Sequence, residues 1–465
     1  MSESSSWRTP LDPSPQAGRA ASDQLDAGKH QRPGSDLGRP VEVPWVERHG
    51  TGLCLSGGGY RAAMFHLGST RRLDELGVLG RLRTVSGVSG GSIIANLLGD
   101  PRLGWPRDGA GGERLEGFEE LVAGPARRLA STNVRTPALQ SRLRPDRWLV
   151  QDGAVRAMAD GFAREIGWWA TPLRDLGVVG AATVTGATDV AYGVDWRFYD
   201  PTAVRPGGWI GDYRLGFGPP PAWLRVADVV ATSCAFPPVF GPWRLDGRGL
   251  DLRGGVAGRE PSSTREAIRR SIPLSDGGVY DNLGLEPVWK DHAAVLVSDG
   301  GNVFRARTTR TPLGQMLRTM SIASDGGTSV RLRWLHSSMS AGEVTGATWA
   351  LDEVVGYPPD VVELVNAIRT DLDAFSQGEQ MVLERHGYLV TDALLREHAP
   401  ELVAVEAALD PPHPEVADPE VARRILRGSD RRTLLGRRAA RPEPRLGRVC
   451  EGSQMCTTRR VTGHS

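Results

Sequence analysis

The chain predicts an α/β domain with a mostly parallel central sheet, and three observations carry that prediction. From Gly52 onward, short apolar runs lead into glycine clusters and then into helix-period stretches, the alternation expected of a βαβ chain. Two of the glycine clusters, at Gly57 and Gly87, stand about thirty residues apart, the length of one right-handed βαβ unit with parallel strands. A length of 465 residues provides for one large domain with appendages rather than a minimal fold.

Taken in order, Leu53-Cys54-Leu55 reads as a buried strand, and Ala62, Phe65, Ser69, Leu73 and Leu76 make a helical stripe that Gly77 ends. Thr84-Val85-Ser86 is a second strand, and Ser92 to Leu98 opens a second helix. Further strands are expected at Ala181–Thr185, Ile272–Leu274 and Ala293–Val297. Helices are expected over Phe118–Ala130, Trp148–Ile166, Val361–Phe375 and Gln377–His386. No internal repeat of solenoid period is present.

The ends differ from this middle. Met1 to Trp45 is rich in Ser, Pro, Gly and Asp without an apolar h-region, so residues 1–46 read as a disordered tail and not as a signal peptide. Between Arg423 and Arg460 twelve arginines face three acids, and 401–465 reads as a flexible, Pro- and Arg-rich tail, with adhesion to anionic lipid or nucleic acid as the alternative. The domain is therefore expected at 47–400. Over the whole chain 56 basic and 55 acidic residues leave a net charge of +1, which gives no global pull on nucleic acid. Four cysteines without CxxC spacing form no disulfide framework, and a cytoplasmic setting follows as the expectation. No run of 18 apolar residues occurs.

The chemistry is legible at the two glycine turns. Gly57-Gly58-Gly59-Tyr60-Arg61 follows the first strand, and Gly87-Val88-Ser89-Gly90-Gly91 follows the second, matching G-x-S-x-G. In that motif the serine sits on a sharp turn, and the glycines let strand and helix close up without Cβ clashes. Parallel strands put both turns at one carboxyl edge. Ser89 is then a nucleophile for an ester carbonyl, with amides of Gly57, Gly58, Gly59 and Gly90 placed to hold an oxyanion. Arg61 would neutralise a lipid phosphate or hold the loop. His292, His336, His386 and His398 stand in no obvious strand-end loop, so a histidine base is not apparent. Neither a metal site nor a cofactor is legible, and the Gly57 turn lacks the Gly-Lys-Ser/Thr of a P-loop.

These residues resemble the patatin-like phospholipases. Three blocks carry the resemblance in the family's order: Gly57 to Arg61, similar to the oxyanion loop; Gly87 to Gly91, similar to the nucleophile elbow; and Ser275-Asp276-Gly277-Gly278-Val279-Tyr280-Asp281-Asn282, similar to the aspartate-bearing block. Weaker agreement lies in Gly186–Asp189 and Ala231–Phe240, and Ala62 departs from the family's further glycine. Together they cover about Gly52 to Pro287, extending toward His398. The resemblance implies a three-layer α/β/α domain in which Ser89 and Asp276 form a Ser–Asp dyad that cleaves acyl esters of lipids. A lipid or phospholipid is then the expected partner, with peripheral contact at a membrane.

Ser-Asp-Gly-Gly occurs three times, at Asp276, Asp299 and Asp325. Asp325 lies inside a helix-like stretch. Asp299 follows the better strand, but the longer match around Asp276 favours that residue. An aspartate serves as a base near neutrality only where dryness raises its pKa or contact holds it against the serine. Two other functions stay open on the same residues: a soluble carboxylesterase or acyltransferase, and a lipid-binding protein without turnover. Trp168-Trp169 is readable as core or as a lipid–water contact.

Overall fold

The computed structural model describes residues 48–106, 113–141, 152–177, 180–201, 207–256, 260–301 and 311–431. The expected tail 1–46, the arginine-rich end beyond Arg431 and the start of the Trp148–Ile166 helix lie outside those residues.

The chain runs β1 (Thr51–Leu55), α1 (Gly59–Glu75), β2 (Leu82–Val88) and α2 (Gly90–Leu98). A π-turn at Phe118–Ala123 leads into α3 (Gly124–Ala130), followed by α4 (Arg135–Gln140) and α5 (Gly153–Glu165). Next come β3 (Ala182–Asp189), β4 (Val194–Tyr199), β5 (Trp209–Asp212), β6 (Gly216–Gly218), α6 (Val226–Ser233) and β7 (Trp243–Leu245). They are followed by α7 (Ser262–Arg270), β8 (Ile272–Asp276), β9 (Ala294–Asp299), α8 (Pro312–Ser340) and β10 (Thr345–Ala350). The last helices are α9 (Pro359–Ala367), α10 (Gln377–His398) and α11 (Pro419–Leu426).

The strands form one mixed sheet in the order β10-β9-β1-β2-β3-β4-β5-β6. Its first five strands are parallel, and β4 to β6 continue it antiparallel. One junction positions the site. Pairing of β2 with β3 ends at Val88↔Gly186, and from Ala187↔Asp276 onward β8 takes the vacated edge of β3 in antiparallel sense. The strands β2 and β8 therefore meet carboxyl end to carboxyl end.

Alternation along the strands builds the layers. Leu53 and Leu55 of β1 and Leu296 of β9 enter the larger core with residues of α1, α2 and α10. Cys54, Val295 and Val297 point to the other face, into a smaller cluster with Leu283, Val288 and Leu335 of α8. Apolar packing on both faces gives the three-layer α/β/α arrangement.

Three boundaries differ from the expected ones. The helix over 361–375 stops at Ala367, because Ile368 is extended and the chain turns to run beneath the site. The helix from Gln377 continues to His398, started by a capping box between Ser376 and Glu379. The packed chain also passes residue 400: Val416, Ala422 and Leu426 are buried, and Asp418 caps α11, so the domain reaches at least Arg431. No helix among the described residues is long and apolar enough to cross a membrane.

Candidate active site

Ser89 is the single residue between β2 and α2. Its φ of 49° and ψ of −119° put an L side chain where only a surrounding network can keep it. That network is present. The Ser89 N–H donates to Ser233 Oγ at 2.8 Å, and that hydroxyl donates on to Gly186 O at 2.6 Å. The Ser89 carbonyl accepts from Ser92 N at 2.9 Å and from Ser92 Oγ at 2.6 Å. A Cβ on Gly91 would lie 2.1 Å from Leu55 O, so the motif's second glycine is what lets α2 rest on the end of β1. Ser89 is partly exposed, whereas Val88 and Gly90 are buried.

The Gly57 turn lies directly against this elbow. A Cβ on Gly90 would be 2.1 Å from Gly59 O, and one on Gly57 would be 3.1 Å from Ser89 Cβ. The turn's three amides are not equivalent. Gly57 is buried and its N–H donates to Asn282 O at 2.9 Å; this removes Gly57 from the expected oxyanion donors and makes it a tie. Gly58 and Gly59 are partly exposed like Ser89, and they form the N-cap and first residue of α1. Gly90 is the first residue of α2. First-turn amides have no acceptor within their own helix, so Gly58, Gly59 and Gly90 are the amides suited to a developing negative charge, with two helix N-termini adding favourable potential.

Arg61 is placed differently from the expectation. Its side chain is buried, and the guanidinium donates to Asn366 O at 3.1 Å, Ile368 O at 3.0 Å, Gly300 O at 3.4 Å and Gly301 O. It holds the turn from behind and does not itself form the oxyanion hole. The departure of the chain from helix after Ala367 supplies two of these carbonyls.

Asp276 ends β8 and is buried. Its Oδ1 accepts the Gly278 N–H at 2.7 Å, its carbonyl accepts from Thr188 Oγ1 at 2.8 Å, and its N–H donates to Ala235 O at 3.2 Å. The Ser89 hydroxyl lies against its carboxyl. Burial pushes the Asp276 pKa up to about 7, against the smaller pull of the Gly278 amide and the Ser89 hydroxyl. Asp299 ends β9, beside β1, and its Oδ1 accepts from Gly301 N at 2.9 Å. Burial raises its pKa; the Gly301 amide, Ser56 and Arg61 hold it back. Asp325 sits on α8 and accepts from Ser321 Oγ at 3.1 Å. Of the three, Asp276 is the carboxyl brought to Ser89.

The histidines lie elsewhere. His292 is buried between Val288 O, Asp291 and Thr84, and His386 is buried on Leu351 O, with burial lowering its pKa to about 4. His336 bonds Thr348 Oγ1 at the surface, and His398 is exposed near Glu397. Trp169 is fully buried against Phe162 and Trp168 is packed on the core, so that pair belongs to the core reading. Among the described residues no three His, Cys, Asp or Glu come together as a metal cluster.

Three contributors were not singled out from sequence. Ser233 holds the elbow's amide. Cys234 places its thiol beside Ser89 and Ser92, where burial and the Asp276 charge raise its pKa and keep it a thiol. Asn282 clasps Gly57 through its carbonyl, and its Oδ1 would lie 2.4 Å from a Cβ on Gly57 and 2.6 Å from one on Gly278. All three fall inside blocks that carry the family resemblance, which is the signal that could have found them.

A strained serine at a parallel sheet's carboxyl edge, faced by a glycine turn, defines an α/β protein with a nucleophile elbow. The model of the patatin-like phospholipase family matches residues 53–165, from β1 through α5. That stretch holds both glycine turns and Ser89 and is similar to that family; Asp276 lies beyond it. No curated protein matches the chain. Among solved structures it is similar to VipD from Legionella pneumophila, at 15% identity over 76% of this chain and 67% of that one, with a TM-score of 0.30. It is also similar to human GIVD cytosolic phospholipase A2, at 11% identity over 88% and 65%, with a TM-score of 0.40. The complex of that enzyme with methyl gamma-linolenyl fluorophosphonate gives 13%, 89%, 63% and 0.42. The chain spans about two thirds of the length of these proteins.

Proposed function

We propose that the chain is a lipid acyl hydrolase of phospholipase A or lysophospholipase type, working through Ser89 and Asp276 without a cofactor. The Ser89 oxygen attacks the ester carbonyl while its proton passes to Asp276, and the resulting oxyanion is held by the amides of Gly58, Gly59 and Gly90. Collapse breaks the bond to the alcohol, which leaves with the proton from Asp276, and the acyl group stays on Ser89. Water then attacks the acyl-enzyme by the same route, giving up its proton to Asp276, and the fatty acid departs as Ser89 recovers its hydrogen.

The observation that carries this reading is the meeting of β2 and β8 end to end, which sets Asp276 against the Ser89 hydroxyl in a dry position. A carboxylate is too weak a base in water at neutral pH; burial that raises it to about 7 is the condition under which it works. The match of residues 53–165 to the patatin-like phospholipase model supports lipid esters as the substrate class. Cys54 and Cys234 are buried and unbridged, in keeping with a reducing, cytoplasmic setting.

A fluorophosphonate probe tests the reading. We expect stoichiometric labelling at Ser89 and none in Ser89→Ala, with release of fatty acid from a panel of phospholipids. Labelling without release of acid from any ester would leave a binding protein; transfer of the acyl group to an added alcohol in preference to water would make it an acyltransferase.

A further inference from the structure

The helix α8 packs beside the candidate site, where Ser324 Oγ donates to Gly278 O at 2.6 Å, two residues past Asp276. Its inner side closes the smaller core through Leu335, and Arg331 turns inward to Asp281 and Glu286 at 3.5 and 3.7 Å. The outer side has an unusual composition for a solvated helix. Met316 and Ile322 are 49% exposed, and Trp334 is 56% exposed with its ring against Trp289; Val330 lies between them on the same side. No exposed position with described burial along α8 is Asp or Glu. The helix's one carboxylate, Asp325, is half-buried and accepts from Ser321, whereas Arg333 is exposed and Arg318 borders the face. An amphipathic surface with apolar anchors, a tryptophan and cations but no exposed acid is complementary to anionic headgroups.

We propose that the outer face of α8, continued by the exposed Val279 beside Gly278, is the surface by which the chain lies on an anionic phospholipid bilayer. The proposal rests on the hydrolase reading in one respect: a lipid substrate resides in an aggregate, so the surface next to the dyad must approach that aggregate. On a bilayer, Met316, Ile322 and Trp334 enter the headgroup boundary, and Arg333 meets lipid phosphate. Scattered single apolar residues are ordinary on protein surfaces; here they lie along one helix whose exposed positions of described burial carry no carboxylate.

The test uses the full chain as Ser89→Ala, so that lipid is not consumed, in flotation with vesicles of phosphatidylglycerol and phosphatidylcholine in equal parts. Adding Ile322→Glu and Trp334→Glu is expected to weaken vesicle binding by about tenfold or more, while Leu409→Glu, at an exposed apolar position off the helix, leaves it unchanged. In the active background the same pair of substitutions should leave hydrolysis of a short-chain soluble ester unaltered. Undiminished binding of the pair, or an equal loss with Leu409→Glu, overturns the proposal. So does a change of oligomeric state on sedimentation without a change in vesicle binding, which would make the face a contact between copies. If the parent chain cleaves no soluble ester but the pair still abolishes vesicle binding, the docking surface stands and the hydrolase reading falls; ester cleavage with undiminished binding keeps the hydrolase and removes the docking surface.

Discussion

Asp276 and Asp299 stand in the same tetrapeptide, Ser-Asp-Gly-Gly, each at the carboxyl end of a strand of one sheet. Each carboxyl accepts the N–H two residues on, at 2.7 and 2.9 Å, so the local turns are alike. Their surroundings differ because their strands have different neighbours. β9 runs parallel beside β1 and carries Asp299 to the side of the Gly57 turn where Ser56, Arg61 and Asp352 surround it. β8 comes from the opposite direction, takes the edge of β3 that β2 leaves, and delivers Asp276 to Ser89. Asp276 also has only dipoles near it, the Gly278 amide and the Ser89 hydroxyl, whereas Asp299 has a guanidinium. The same four residues thus yield a candidate base in one place and a structural turn in the other, and pairing topology decides which.

The largest expected effect breaks or upholds this contrast directly. Asp276→Asn should lower kcat/KM on a soluble ester by about a thousandfold or more, as loss of the base of a nucleophilic pair does. Asp299→Asn should stay within about tenfold of the parent, since a side-chain amide still accepts from Gly301. The reverse ranking would mean that the neighbouring strands assign the roles wrongly. A pH series sharpens the comparison. A base must be ionised to act, so kcat/KM should rise about tenfold per pH unit below about 7, the value to which burial pushes Asp276, and level off above it. Asp299→Asn should leave that limb where it is.

How much of this was readable beforehand depends on the range of the interaction. The first βαβ unit, its two glycine turns and Ser89 are local patterns, and each stands where the sequence puts it. The carboxyl of the proposed dyad was not fixed by local pattern, because the tetrapeptide recurs and the strand before Asp299 looks the stronger; only the longer block resembling the family favoured Asp276. β4 escaped notice because Asp195 and Arg197 interrupt its apolar run, and they are accommodated in the sheet by pairing at 2.6 Å. Ser233, the last residue of α6, and Asn282 act on partners far away in the chain, and a polar side chain does not advertise such a partner. Arg61 is the sharpest case: its acceptors are main-chain carbonyls, which have no side-chain signature at all.

That placement gives the next effect in size. Arg61→Gln removes most of the donors to carbonyls on both the 300–301 and 366–368 segments, which clamp the Gly57 turn between them. We expect kcat to fall about ten- to a hundredfold with KM little changed, and the melting temperature to fall as buried carbonyls lose partners. Arg61→Lys, which keeps a charge but not the fork, should recover stability in part and kcat less. A lost affinity for phosphorylated substrates with an unaltered rate on neutral esters would place Arg61 at the headgroup instead.

The smallest effect is thermodynamic and returns to the two aspartates. In the unfolded chain Asp276 loses its proton near 3.8, whereas in the fold it keeps it until about 7. Between those values the folded state binds one proton more than the unfolded state, so stability falls as pH rises through that window and is flat above it. The dryness that makes Asp276 a usable base therefore works against the fold once the group ionises. A neutral amide in its place has no charge to bury, so the melting temperature of Asp276→Asn relative to the parent should climb from about pH 4 to about pH 7 and then level. The gain is on the order of a few kcal/mol, several degrees in a domain of this size. Asp299→Asn should gain less over the same range, because Arg61 already favours the ionised form there. Calorimetry of the two variants and the parent at pH 5 and pH 8 reads the difference, and an equal, pH-independent offset in both variants would show that burial at Asp276 exerts no such opposing force.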